Sequence, residues 1–278
     1  MTYTVPVLSI IFILLAMLSG IAIPILLFIY FKKKGCKAVP FWIGCAVMFI
    51  FAFLLEQIAH TVILGSGIGA TIKGNILLYA VYGGFMAGLF EESGRFLAFK
   101  TVLKKYQEND RNALMYGAGH GGFEAFYLLG IGMINNLIYA ILMNAGQTGV
   151  LTAGLSGSAL TAVQSAFRTL SETSPFLFLL GILERFAAVA AQLSFSVLVW
   201  FAAKKGGRHT LLFPLAILMH LILDAGAVLL NHYISGAPLV TELVICAISA
   251  LFALFAFKVY RRNSVPDLNH GESSAIPE

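Results

Sequence analysis

Seven apolar stretches, each about as long as a bilayer is thick, decide what this chain can become. They run approximately over residues 4–31, 41–64, 75–100, 112–145, 176–203, 211–233 and 238–260. A membrane-spanning helix takes about 20 such residues. Of the 278 residues, 59% are hydrophobic and 11% charged, against about 25% charged in a soluble domain, so one aqueous core has no way to bury this much apolar surface. The period-two alternation of a membrane β-barrel is missing. The expectation is an all-α fold, a polytopic membrane helical bundle of about seven transmembrane helices. It forms a single domain over 1–262, followed by a disordered tail over 263–278 made of Pro, Asn, Ser, Gly and acids. The fourth stretch exceeds one span, which predicts a tilt, a kink or a second piece near Gly130 and Gly132.

The formal net charge of +5 could suggest a nucleic-acid partner, but its distribution points to the bilayer instead. Lys32, Lys33, Lys34 and Lys37 follow the first stretch, and Lys100, Lys104, Lys105 and Arg111 lie between the third and fourth. Lys204, Lys205 and Arg208 follow the fifth, and Lys258, Arg261 and Arg262 close the seventh. Thus 14 of the 18 basic residues sit on every second connection, while the opposite connections hold only Lys73 and Arg168. This positive-inside pattern places the N-terminus outside and the C-terminus in the cytoplasm, with a weaker second reading of the clusters as contacts to anionic lipid. The expected location is the cell membrane, crossed many times, of a bacterium; no nucleic acid is expected as a partner.

The first stretch lacks a basic leader and is too long for the apolar part of a cleaved signal. Cys36, Cys45 and Cys246 have no paired spacing, so neither a disulfide framework nor a thiolate metal site is supported. Residues 146–175 form a Gly-, Ser-, Thr- and Ala-rich outside connection in which Ala159, Val163, Ala166 and Leu170 fall on one helical face. That spacing allows a short interfacial helix or a plain loop. No internal repeat is visible.

Ionisable residues inside the apolar stretches carry the functional reading. A charge at membrane depth costs at least ~2.5 kcal/mol, so such residues persist where they meet one another or line a wet cavity. Glu91 and Glu92 lie on the third stretch with Arg95, which shares a helical face with Glu91. An internal salt bridge explains one of these acids and leaves the other free for a metal, a water or a proton. His120 and Glu124 are four residues apart in a run with Gly117, Gly119, Gly121 and Gly122. The glycines suit a tight helix crossing or a helix thinned to admit a metal or a substrate backbone. His220 and Asp224 repeat the same spacing on the sixth stretch, and metal-binding histidines often pair with a carboxylate. Glu91, His120 and His220 lie nine to twelve residues from Lys100, Arg111 and Arg208. At about 1.5 Å per residue that is roughly 14–18 Å below one face, with Glu124 and Asp224 a turn deeper. Glu184 and Arg185 on the fifth stretch can pair internally or lend a carboxylate, and Gln192 can line the same site. Glu56 and His60, near the outer end of the second stretch, read as a structural or interfacial pair.

On these motifs the chain resembles the YhfC family of intramembrane metalloproteases. That family is grouped with PrsW proteases, the CAAX-type prenyl endopeptidases and their bacteriocin-processing relatives, and the Aph subunit of γ-secretase. The resemblance covers about residues 40–260 and rests on Glu91-Glu92-x-x-Arg95, His120-xxx-Glu124 and His220-xxx-Asp224, in that order. It implies peptide-bond hydrolysis of a membrane protein or peptide substrate. Glu91 would activate water, with Glu92 or Arg95 holding the constellation. His120 and His220 would bind a divalent metal, zinc, or the oxyanion, and Glu124 and Asp224 would complete the shell. The family pattern places a histidine eight residues after the Glu184-Arg185 pair, where this chain has Gln192. Two other classes fit the same residues. A cation- or proton-coupled transporter would need a polar path to both faces, and the outer halves of the third, fourth and sixth stretches look dry. A non-catalytic scaffold would keep the polar cluster for helix packing alone.

Overall fold

The computed structural model describes residues 3–264. Its helices are α1 (Val7–Lys33), α2 (Val39–Gly65), α3 (Gly67–Lys73), α4 (Ile76–Lys100) and α5 (Asn112–Asn144). They continue with α6 (Thr148–Thr152), α7 (Gly157–Glu172), α8 (Pro175–Lys205), α9 (Leu212–Tyr233) and α10 (Pro238–Asn263). No strand occurs among the described residues. Seven of these helices are long, one for each apolar stretch. Six are long and apolar enough to cross a membrane. The other, α4, has 25 residues, but Glu91, Glu92 and Arg95 lie in its interior.

Local chemistry sets the ends. Proline opens α8 and α10, where its missing N–H is no loss. The Asn75 side chain caps α4 by accepting from the Leu78 amide at 3.1 Å. Gly206, with φ of 65°, stops α8 in a backbone region that a side chain disfavours. The long fourth stretch is one helix of 33 residues. Its middle, Phe126–Ile131, winds wider in π geometry and contains Gly130. The expected irregularity is therefore a change of winding rather than a break, and π segments often mark functional sites. A second one, Met48–Glu56, lies in α2.

The connection over 146–175 contains a helix, α7, rather than a plain loop. Val163, Phe167 and Leu170 pack with Val5, Ile13, Ala140, Met143 and Phe178. Ala159, expected on that face, is exposed. At the other end, Asn263 belongs to α10 rather than to a tail: its side-chain oxygen accepts from Lys205 Nζ and His209 Nε2, each at 2.9 Å. The remainder of the expected tail, 265–278, lies outside the described residues.

Helix α8 is the axis of the bundle. In its apolar window 78% of residues are buried, against at most 39% in the other five. Two glycine-lined crossings then bring polar residues together. Gly84 and Gly88, one turn apart on α4, lie so close to α9 that a Cβ would stand 2.7 Å from the Leu221 carbonyl oxygen and 2.8 Å from that of Ile217. Small residues at such spacing let membrane helices approach backbone to backbone, here setting Glu91 and Glu92 beside His220. On α5, a Cβ at Gly119 would lie 1.9 Å from the Phe41 carbonyl oxygen, one at Gly117 2.8 Å from Ser196 Oγ, one at Gly121 2.8 Å from Gln192 Cβ and one at Gly122 2.9 Å from Pro24 Cβ. Helices α1, α2 and α8 thus fill the space around His120, so the glycines serve packing and hold no room for a substrate backbone. Gly119→Ala is expected to lower stability by about 3 kcal/mol, the upper end of overpacking costs, measured as a shift in the detergent unfolding midpoint. Gly132→Ala, which meets nothing within 4 Å, should leave that midpoint in place.

Candidate active site

The residues predicted to share one level do meet, on α4, α5, α8 and α9. Glu91 Oε2 lies 2.9 Å from His120 Nε2 and accepts from Gln192 Nε2 at 2.9 Å. The same Gln192 nitrogen reaches Glu124 Oε2 at 3.2 Å. Arg95 donates to Glu92 and to the Gln192 side-chain oxygen. Glu92 also meets His220 Nδ1 at 3.0 Å, and His220 Nε2 faces Asp224 Oδ2 at 3.4 Å and Glu91 Oε1 at 3.9 Å. Arg185 binds Glu124 at 2.7 Å and Glu184 at 2.5 Å. Every residue singled out on these helices therefore belongs to one connected network.

Aromatic rings fix the two imidazoles. Phe195 stacks on His220 at 4.9 Å, and Tyr116 on His120 at 5.7 Å with its hydroxyl 3.5 Å from Nδ1. Arg95 pairs with Glu92 rather than with Glu91, its expected face-mate, because the neighbouring Gln192 draws the guanidinium toward α8. Glu91 is thereby left for His120 and the cavity. Gln192 is the hub that links Arg95, Glu91 and Glu124.

A cavity of about 170 Å³ opens beside this network, lined by Glu91, Glu124, Glu184, His220, Asp224 and Glu242 among others. Asn231 near the end of α9, and Thr241 and Glu242 in α10, also line it. The outer half of the sixth stretch, expected to be dry, thus contributes Asn231, and the seventh, where no site residue is expected, contributes Thr241 and Glu242. The signal that marked the other acids, an ionisable residue inside an apolar run, was present at Glu242 as well. Glu56 is buried, and His60 bridges it to Tyr82 with separations of 3.1 and 2.9 Å.

A comparison with known families matches residues 19–245 to YhfC intramembrane metalloproteases. The chain belongs to the YhfC family. A relative in Bacillus subtilis (strain 168), described as an uncharacterized membrane protein YhfC, is 32% identical over 255 residues. That alignment covers 91% of this chain and 97% of the relative. No solved structure matches. The chain is therefore a multi-pass membrane protein of a family described as metal-dependent proteases.

The donor atoms are right in kind for the implied metal, since zinc takes imidazole and carboxylate ligands. Their arrangement does not make a preformed cage. Among the described residues no three or more His, Cys, Asp or Glu side chains converge to hold an ion, because His120 Nε2 is engaged by Glu91 and His220 Nδ1 by Glu92. Cysteine offers no substitute at Cys36, whose thiol is pushed by burial up to about 11. A network closed by its own hydrogen bonds has a clear consequence. Chelation is expected to leave the unfolding midpoint of the purified protein unchanged. A midpoint that falls on stripping and returns with zinc would show instead that the ion is part of the fold.

Proposed function

We propose that this protein is an intramembrane endopeptidase that hydrolyses peptide bonds of membrane proteins or membrane-associated peptides, with Glu91 activating the water. It acts in a bacterial plasma membrane, with the N-terminus outside and the basic clusters in the cytoplasm. One observation carries the reading. Glu91 presents a carboxylate to a buried cavity, with Oε2 held by His120 and Gln192 while Oε1 faces His220 and is left for a water.

The chemistry follows from those contacts. Water at Oε1 passes a proton to Glu91 as its oxygen adds to the peptide carbonyl carbon. When the C–N bond breaks, Glu91 returns the proton to the leaving nitrogen. His220 Nε2, in the state in which it carries a hydrogen, donates to the carbonyl oxygen as charge develops there. Glu92 orients His220, and Arg95 holds Glu92 and Gln192 in place. The metal in the family's description would take its donors from His120, His220, Glu124 and Asp224, with His120 released from Glu91, His220 from Glu92 and Glu124 from Gln192 and Arg185, and zinc suits that set.

Transport is less well supported, because the polar cavity does not continue toward the basic end. There Phe99, Tyr116 and Trp200, all fully buried, pack ring against ring at 4.6 and 5.0 Å. The test is cleavage of an apolar peptide labelled at both ends, mixed with the purified protein in lipid vesicles. Fragments that appear with the parent and vanish with His120→Ala are the expected result. Uncleaved peptide with every lipid and divalent metal tried would leave the scaffold as the better description.

A further inference from the structure

Exposure along the polar cavity rises in one direction only. Side chains are 0% exposed at Glu92, 7% at Glu91, 16% at Glu124, 39% at Asp224 and 46% at Glu184. The cavity runs from Glu91 and His220 past Asp224 to Asn231 near the end of α9, and to Thr241 and Glu242 near the start of α10. Those helix ends lie opposite the basic clusters. Toward the basic end the way is filled by Phe99, Leu103, Tyr116, Leu198 and Trp200, each fully buried, and Trp200 Nε1 donates to Asp110 at 2.8 Å.

Two features say what covers the open side. Acids at this depth do not face hydrocarbon bare, so the mouth is filled by water or by polypeptide. Moreover, Thr241 is 1% exposed and lines the cavity, yet among the described residues its Oγ1 has no hydrogen-bond partner, and neither has Glu242 Oε2. A buried polar atom left unpaired is costly, so these two mark positions where an incoming chain supplies the partner. Helix α10 packs along α8 and only lightly on α9, which makes the α9–α10 seam the looser wall. Its charge is one-sided. Glu184, Asp224 and Glu242 face the seam, and Arg185 is engaged by Glu124 and Glu184.

We propose that the site is entered at the end opposite the basic clusters, along the α9–α10 seam, by a membrane polypeptide segment that presents a lysine or arginine to Glu184, Asp224 and Glu242. The long basic side chain can run along apolar surface and place its charge among the acids, while segment backbone reaches Thr241. This names the substrate class of the endopeptidase proposed above and rests on that reading for its purpose.

The test reads access without turnover. Cys36, Cys45 and Cys246 are first changed to serine. Single variants Ala227→Cys and Ala188→Cys, both on the cavity wall, are then labelled in sealed vesicles with cationic and anionic methanethiosulfonates of similar size. Lys105→Cys reports the basic end. Both cavity cysteines should react from the side opposite Lys105→Cys, at least tenfold faster with the cation, and Glu184→Gln with Glu242→Gln should bring the two rates together. A 20-residue apolar peptide bearing one lysine near its outer end should slow labelling at least threefold, and the same peptide with glutamine should not. Labelling from the basic side, equal rates for the two reagents, or equal protection by both peptides would overturn the proposal. A chain that shows lysine-dependent protection and cleaves nothing would overturn the hydrolytic reading alone.

Discussion

Glu91→Gln is expected to lower peptide cleavage by roughly 10²–10⁴-fold, the contribution of a positioned general base, while leaving the unfolding midpoint close to that of the parent. The isostere keeps the side-chain shape and can still meet His120 and accept from Gln192, so the contacts that hold Glu91 Oε2 at 2.9 Å on both sides survive in kind. What is lost is the carboxylate oxygen facing His220 at 3.9 Å, the atom to which the proposed reaction assigns the proton from water. Glu91→Asp is a sharper probe. It keeps the charge and withdraws it by one methylene, about 1.5 Å, a displacement of the order that costs 10²-fold in a positioned site. Single-turnover cleavage and a midpoint on the same preparations separate the two effects. A Glu91→Gln protein that cleaves as fast as the parent would remove Glu91 from the chemistry.

The rods and their common level were open to sequence reasoning because membrane helices obey two simple rules. Apolar length sets the span, and counting from the basic clusters at 1.5 Å per residue sets depth. Those two rules alone put Glu91, His120 and His220 at one level. Rotation about each helix axis follows neither rule, and the surprises lie there. Glu91 and Arg95 share a face by spacing, yet Arg95 turns to Glu92 on the same helix and to Gln192 on α8. The glycines around His120 are equally compatible with a crossing and with a cleft until Phe41, Pro24 and Gln192 are seen filling the space. The direction of the cavity depends on which helices pack loosely. Hydropathy carries no information on that, so nothing in the sequence marks Asn231 or Thr241 as cavity residues, whereas Glu242 is an ionisable residue inside an apolar run.

Arg95→Met should be the most destabilising single change in the polar network, by about 3–5 kcal/mol, the cost of stranding one member of a buried ion pair. Arg95 is fully buried, as is Glu92, and its guanidinium lies over the Tyr116 ring, 6.0 Å from the centroid. Removing the cation leaves Glu92 with His220 as its remaining partner, and frees Gln192 to turn away from Glu91. Methionine fills much of the volume, so the loss measures charge rather than a void. Adding Glu92→Gln should recover a large part of it, since a neutral amide needs no counter-charge and its carbonyl oxygen can still meet His220 Nδ1. A two-variant cycle of unfolding midpoints gives the coupling directly. If the double variant is as unstable as Arg95→Met alone, the arginine supports the bundle by packing and not by holding Glu92, and its part in positioning His220 falls with it.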